Sequence, residues 1–111
     1  MKKLNILWVT DNKTTVITML TPYAINSKTR GWWSEISVII WGASARLIAT
    51  DTQVQTEVLE MINQGVKVEA CKNCSDEFGV TDDLVKLGVS VRYMGETLTD
   101  HIKKGETILT I

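Results

Sequence analysis

The sequence predicts an α/β fold in which a parallel sheet is covered by helices on both faces. Short apolar runs rich in β-branched residues alternate along the chain with longer segments whose apolar residues recur at helical spacing. The connections between these segments are short, and several helical segments end at a glycine. Because the apolar runs lack regular alternation, we expect the strands to be buried on both sides, as in parallel sheets.

Length and composition are those of one globular domain spanning residues 1–111. Hydrophobic residues make up 44% of the chain and charged residues 23%, and the formal net charge is -1. No run of lysine or arginine exceeds two adjacent residues, so the charge pattern of a nucleic-acid-binding protein is missing. The same absence argues against a polybasic membrane surface. We therefore predict neither nucleic acid nor a membrane as a partner.

The first apolar run, residues 4–9, is predicted to be a strand and not part of a signal peptide. It stops at Thr10 and Asp11, and no small-residue cleavage site follows. No stretch approaches the roughly 20 apolar residues that a membrane-spanning helix needs. We therefore expect a cytoplasmic protein, in which two cysteines are more often reactive thiols or metal ligands than a structural disulfide.

Helical spacing begins at Thr14 and continues to about Lys28. Pro22, the only proline of the chain, lies inside this pattern. Two interpretations stay open. Either the helix kinks at Pro22, or a second segment begins there with Thr21 as its cap and the proline in its first turn.

Two adjacent tryptophans, Trp32 and Trp33, precede a predicted second strand at residues 36–41. Neighbouring side chains of an extended segment point to opposite sides, so the two indoles cannot both enter the same core. Either both pack at the corner between helix and strand, or one of them anchors a subunit interface, where tryptophan is enriched.

The small-residue segment 42–46 is predicted to be a loop at the carboxyl end of the second strand. It is either a tight connection or part of a site whose backbone N–H groups, together with Arg46, bind an anion. Its glycine spacing matches neither a P-loop nor a dinucleotide-binding motif.

The remaining segments continue the alternation of helices and strands. In chain order we predict a helix capped by Thr50 and Asp51 and closed by Gly65, a strand at 66–70, a short helical turn from Ser75, a helix at 81–87, a strand at 89–93, a helix at 96–104 and a strand at 107–111. The chain therefore contains five predicted strands.

The two cysteines of the chain, Cys71 and Cys74, lie where the third predicted strand gives way to a helix. In an open α/β sheet, ligands and reactive groups collect at this kind of junction. The positive end of the helix dipole and nearby Lys72 favour an anion there. Asp76 and Glu77 oppose it, so we expect only a modest lowering of a thiol pKa at this junction.

Several short motifs follow one another in an order that resembles the DsrE/DsrF-like family, and most closely its small single-domain DsrE members. They are WW at 32–33, IWGAS at 40–44, GVKVEAC at 65–71, LGV at 87–89 and YMGE at 93–96. The resemblance extends from Leu4 to Ile111. It implies a three-layer α/β/α fold with a five-stranded, mainly parallel sheet and a tendency to form homotrimers or homohexamers.

The resemblance also implies a site. In the sulfur-relay branches of the family, a cysteine just after the third strand carries a persulfide that passes between partner proteins, and Cys71 matches that position. Cys74 has no counterpart in those branches. The leading prediction is an intracellular sulfur-relay protein in which Cys71 accepts and donates a sulfane sulfur, with a donor or acceptor protein as partner. Cys74 would resolve or shield the persulfide.

Other functions stay open, and we predict no bound cofactor. One is a dithiol–disulfide couple, although a thioredoxin-like version would need a proline beside the site, and Pro22 is too distant in sequence. A second is a metal site, but two thiolates and His101 fall short of a closed tetrahedral set, so we predict no metal. A third possibility is that the two cysteines have no chemical role and are small, buried, inert side chains.

The main alternative is a non-enzymatic module that binds a small ligand or a partner protein at the carboxyl edge of the sheet, where strand ends converge. The predicted lining residues are Thr10, Asp11, Gly42, Ser44, Cys71 and Asn73.

Overall fold

A computed structural model describes residues 2–111, and its five strands join one sheet that is parallel throughout. The strands are β1 (Lys3–Trp8), β2 (Glu35–Ile40), β3 (Lys67–Cys71), β4 (Ser90–Arg92) and β5 (Thr107–Thr110). Their order across the sheet is β4-β3-β2-β1-β5. The predicted α/β class with a five-stranded parallel sheet is therefore confirmed.

Helices connect every consecutive pair of strands. They are α1 (Lys13–Thr15), a π-helical segment (Val16–Leu20), α2 (Thr21–Thr29), α3 (Ala43–Thr50), α4 (Thr52–Asn63), α5 (Lys72–Phe78), α6 (Thr81–Lys86) and α7 (Gly95–Lys103). Within residues 2–111, no helix is both long and apolar enough to cross a membrane.

The two faces of the sheet are covered unequally. The first three crossovers step across the sheet in one direction, from β1 to β4, and the last returns to β5. Because such crossovers are right-handed, the helices between β1 and β4 lie on one face and α7 lies on the other. We call the face of the sheet that α7 covers the α7 face.

Alternate residues of the strands accordingly enter two separate cores. Trp8, Ile40 and Ala70 belong to the large core beneath the helices that precede β4. Ile39 and Cys71 belong to a small cluster on the α7 face. The candidate site therefore lies on the thinly covered side of the sheet.

The prediction of a loop at residues 42–46 is wrong, because α3 begins at Ala43. Gly42 has φ +66° and ψ -136°, so the chain turns from β2 into the helix within one residue. Ser44 and Ala45 are then small enough to be buried against the sheet.

Only Asp51 separates α3 from α4. Its carboxylate accepts the Val54 N–H at 3.0 Å, which confirms this residue as the predicted cap.

Pro22 lies in the first turn of α2, as one of the two interpretations predicted, but Thr21 is not a cap. The Thr21 N–H bonds to the Val16 carbonyl through a π-helical turn, and the buried Thr21 hydroxyl has no hydrogen-bond partner among residues 2–111. Proline has no N–H and its ring crowds the carbonyl four residues earlier, so the wider π-helical turn lets the helix continue without a break.

The tryptophan pair divides between core and solvent. Trp33 packs against the large core, and its indole N–H donates to the Tyr23 hydroxyl at 3.3 Å. Trp32 is 56% exposed, and the Arg30 guanidinium lies 5.9 Å from its ring centroid. The interpretation in which both indoles pack at the corner is therefore wrong for Trp32.

Candidate functional site

The two cysteines occupy adjoining positions at the start of α5. Cys71 is the last residue of β3 and the N-cap of α5, and Cys74 is the third residue of that helix. An N-cap side chain and the side chain three residues later lie close together at the start of a helix. Both cysteines are free, and Cys74 packs against the small cluster that contains Cys71.

The two sulfurs differ in their access to solvent. Cys71 is 5% exposed and packs in the small cluster with Ile39 and Met94, both of which are fully buried. Cys74 is half-buried at the margin of the same cluster, next to Trp41. Solvent and other molecules therefore have better access to the Cys74 sulfur.

Burial raises the pKa of the Cys74 thiol above its ordinary value, and the hydrogen bond and charge of Cys71 raise it further. A hydrogen bond from the Gly42 N–H acts in the opposite direction, but does not outweigh the burial. The modest lowering of a thiol pKa expected from the helix terminus is therefore not found at Cys74. At neutral pH this side chain is a protonated thiol that can donate its hydrogen bond to Cys71.

Lys72 does not supply the positive charge that the sequence suggested for the thiols. Its ammonium is hydrogen-bonded to Asp76, and this bond raises the pKa of Lys72. The same ammonium lies 5.6 Å from the ring centroid of Tyr93. Asp76 also accepts a hydrogen bond from Thr81, which helps to hold α5 against the start of α6.

Gly42 is the predicted binding residue that the structure brings to the cysteines. It is the N-cap of α3, and its backbone N–H acts to lower the pKa of the Cys74 thiol. A side chain at this position would meet no atom within 4 Å, so glycine is required for its positive φ and not for space.

Ser44 lies below the site. It is fully buried, and its hydroxyl donates to the Trp8 carbonyl at 2.6 Å and accepts from the Trp41 N–H at 3.2 Å. These bonds join the carboxyl ends of β1 and β2. Ser44 therefore supports the sheet edge on which the site is built.

The remaining predicted residues lie at the rim of the same sheet edge. Thr10 is half-buried after β1, and its hydroxyl accepts the Asn12 N–H at 3.1 Å. Asp11 is exposed, as is Asn73 in the first turn of α5. None of the three belongs to the small cluster around Cys71, and Thr10 and Asp11 follow β1, which β2 separates from β3.

An ion pair between a buried carboxylate and an exposed arginine beside Cys71 was missed from the sequence. Glu69 is 3% exposed on the same face of β3, and its carboxylate accepts from the Arg92 Nε at 2.7 Å. Arg92 is the register partner of Cys71 on β4 and also donates to the Thr97 hydroxyl at 3.0 Å. A glutamate inside an apolar strand was the available signal, because such a residue needs a partner when it is buried.

The structure does not bring His101 to the thiols. Its Nδ1 lies 3.0 Å from the Glu106 carboxylate, which also accepts from Asn5. Within residues 2–111, no three histidine, cysteine, aspartate or glutamate side chains lie close enough together to hold a metal ion.

Comparisons with known proteins identify the fold and family. The family model described as "DsrE/DsrF-like family" matches residues 19–111. A conserved protein of unknown function, BT1422 from Bacteroides thetaiotaomicron, is 57% identical over 99% of this chain and 95% of its own, with a TM-score of 0.97. No curated protein matches the chain.

Two more distant structures share the fold alone. The ychN protein from E. coli is 19% identical with a TM-score of 0.75. The protein of unknown function MTH1491 from Methanobacterium thermoautotrophicum is 20% identical with a TM-score of 0.76. In both comparisons the two chains are covered completely.

Proposed function

The chain belongs to the DsrE/DsrF-like family, and from this premise we propose that it is a sulfur-relay protein in which Cys71 carries a sulfane sulfur as a persulfide. The observation that carries the proposal is the placement of Cys71. It ends the third parallel strand, occupies the N-cap position of a helix and has a second free cysteine packed against its cluster.

Two displacement steps make up the relay. The Cys71 thiolate attacks the outer sulfur of a persulfide donor, forms a new S–S bond and releases the donor thiolate. An acceptor thiolate then attacks the outer sulfur on Cys71, and the Cys71 thiolate leaves. Each step moves one sulfur atom and consumes no oxidant or reductant.

The surroundings of Cys71 suit a reactive sulfur that has to survive between partners. Ile39 and Met94 exclude water on the buried side. Cys74 packs against the same cluster from the open side, and its raised pKa keeps it a neutral thiol there. Donor and acceptor proteins would approach over Cys74, at the sheet edge formed by Gly42 and the start of α5.

The proposal includes a cytoplasmic location and a homo-oligomer, with a trimer or hexamer expected from the family resemblance. Reduced thiols of this kind persist in the cytoplasm. The thin covering of the α7 face favours self-association, because Ile102 of α7 is 58% exposed there.

The test uses a Cys74→Ser variant, which keeps Cys71 as the only thiol. The reduced protein is incubated with glutathione persulfide and then with an excess of a thiol acceptor, and its intact mass is measured at each stage. We expect the gain of one sulfur atom after the donor and its loss after the acceptor. The matched control is the Cys71→Ser/Cys74→Ser double variant, which should gain no mass.

The burial of Cys71 also favours a second function, a binding module that performs no thiol chemistry. A Cys71 that is only 5% exposed presents little of its sulfur to a donor. If Cys74→Ser stays unmodified under these conditions, the relay is excluded and the binding module becomes the better account.

A further inference from the structure

We propose that Met94 is a gate over Cys71, and that the hydrogen bond between Arg92 and Thr97 holds this gate closed. The inference rests on the proposed function, because it names the motion that controls access to the sulfur carrier. The approach over Cys74 leaves Cys71 only 5% exposed, so a second part of its cover has to move before a donor can reach the sulfur.

Met94 is the part of the small cluster that can move away from Cys71. Ile39 and Met94 are both fully buried against it. Ile39 belongs to the central strand β2, which is paired on both sides and cannot shift without disturbing the sheet. Met94 instead follows the edge strand β4 and is the N-cap of α7.

The segment that carries Met94 exposes its other side chains. Within residues 93–96, Met94 alone is buried, and Tyr93 is 68% exposed. Gly95 directly after it gives the backbone freedom to turn, and the methionine side chain is long, unbranched and flexible. Lifting this segment therefore exposes one apolar side chain and requires no unfolding of the sheet.

A side-chain hydrogen bond ties the first turn of α7 to the sheet, and we call this bond the latch. The Arg92 Nη1 donates to the Thr97 hydroxyl at 3.0 Å. Arg92 is itself anchored, because its Nε donates to the buried Glu69 carboxylate at 2.7 Å. Since Arg92 is the register partner of Cys71, the latch starts from the residue beside the sulfur that it protects.

Burial contributes little to holding α7 in place. The structure describes every residue of α7, and none of them is buried. The far end of the helix is held separately by the Glu106 carboxylate, which lies 3.0 Å from His101 and accepts from Asn5 on β1. The first turn can therefore lift while the far end stays in place. Elements with few buried contacts open at a small cost in free energy, as gates and lids do.

The experiment measures access to the Cys71 sulfur with iodoacetamide, which alkylates a thiol whether or not the protein handles sulfur. The parent protein is Cys74→Ser, in which Cys71 is the only thiol, and alkylation is followed by intact mass. Rates are measured at several pH values, since easier access raises the rate by the same factor at each pH and a change in thiol ionisation does not.

Three substitutions are added to the parent. Thr97→Val removes the hydroxyl that accepts from Arg92 and keeps the shape of the side chain. Thr99→Val is the matched control, because it makes the same change in the same helix and the Thr99 hydroxyl donates to the Gly95 carbonyl within α7. Met94→Ala removes the gate itself.

We expect alkylation of Thr97→Val to be about three- to tenfold faster than that of the parent, as for the loss of one hydrogen bond. Thr99→Val should react at the rate of the parent. Met94→Ala should react faster still, and Thr97→Val should then add nothing, because the latch has no gate to hold. Low concentrations of urea should leave the rate of the parent unchanged, since a local opening exposes little surface.

The inference is overturned if Thr97→Val reacts no faster than Thr99→Val, or if the parent reacts as fast as the unfolded protein. It is equally overturned if the rate rises with urea in step with the unfolding equilibrium, because Cys71 would then react only through global unfolding. The proposed function fails separately. Gated alkylation in a protein that takes up no sulfur from glutathione persulfide would support the gate and exclude the relay.

Discussion

At the residue scale, the chemistry of the site depends on two neighbouring thiols with different surroundings. Cys71 is buried in an apolar cluster, whereas Cys74 is half-buried at the margin of that cluster. Burial raises the pKa of Cys74, so this thiol is protonated at neutral pH. The proposed role of Cys71 as the sulfur carrier depends on its position at the end of β3.

Gly42 provides a residue-scale prediction. Gly42→Ala forces a side-chain-bearing residue to adopt φ +66° and should lower the free energy of unfolding by about 1–3 kcal/mol, measured by urea denaturation. Gly95→Ala is the matched control, because Gly95 has no positive φ and equally open space around its Cα. It should be neutral or stabilising by about 0.4–1 kcal/mol. Equal destabilisation by both substitutions would contradict the backbone argument.

At the element scale, the Arg92 side chain connects the edge strand β4 to α7, the helix on the thinly covered face of the sheet. β4 has three residues, and its Arg92 bonds to Glu69 on β3 and to Thr97 on α7. Because Glu69 is buried, removing its partner leaves a carboxylate with only the Lys67 ammonium, 3.6 Å away. This pair therefore holds together the elements that surround Cys71.

Arg92→Met should lower the free energy of unfolding by about 2 kcal/mol, because it removes charged hydrogen bonds from a buried acceptor. Lys3→Met is the control, since it breaks the ion pair of Lys3 with Glu35, in which both side chains are about half exposed. That loss should be about 0–1 kcal/mol. If both variants unfold at the same denaturant concentration, the burial of Glu69 does not have the effect assigned to it.

The helices and strands were largely predictable from the sequence, because hydrophobic periodicity and terminal glycines are local signals of where each element lies and ends. All five strands and the cap at Asp51 were found within a residue or two. The start of α3 was missed, since a run of small residues such as Ala43 and Ser44 has no periodic signal. The Glu69–Arg92 pair was missed for another reason. Its members are 23 positions apart, and only the register of β3 with β4 brings them together.

The same distinction applies to the site. Cys71, Cys74 and Gly42 follow the ends of neighbouring parallel strands, so their convergence could be predicted from strand order. The side-chain details could not. That α3 begins directly after Gly42, and that Ser44 is buried in its first turn, depends on a positive φ that the sequence only permits.

At the scale of the whole molecule, the unequal covering of the sheet points to self-association. α7, every residue of which is described, buries none of its side chains, and Leu7 and Trp41 on the same face of the sheet are half-buried. A second copy packed on the α7 face would cover these residues and would also lie beside the cysteine pair.

This predicts that Ile102→Lys lowers the molar mass in solution, measured by light scattering after size-exclusion chromatography. Val85→Lys is the matched control, because Val85 is 55% exposed on α6, which packs on the other face. It should leave the assembly intact. A wild-type chain that elutes as a monomer would contradict the prediction, as would equal loss of assembly in both variants.

The account depends most directly on which cysteine first accepts sulfur. The measurement is the sulfur content of Cys71→Ser and Cys74→Ser after identical exposure to glutathione persulfide, followed by alkylation, trypsin digestion without reduction and mass spectrometry. We predict that Cys74→Ser carries one added sulfur on peptide 68–72 and that Cys71→Ser carries none. Uptake by Cys71→Ser on peptide 73–86, with Cys74→Ser unmodified, would contradict the assignment of Cys71 as the sulfur carrier.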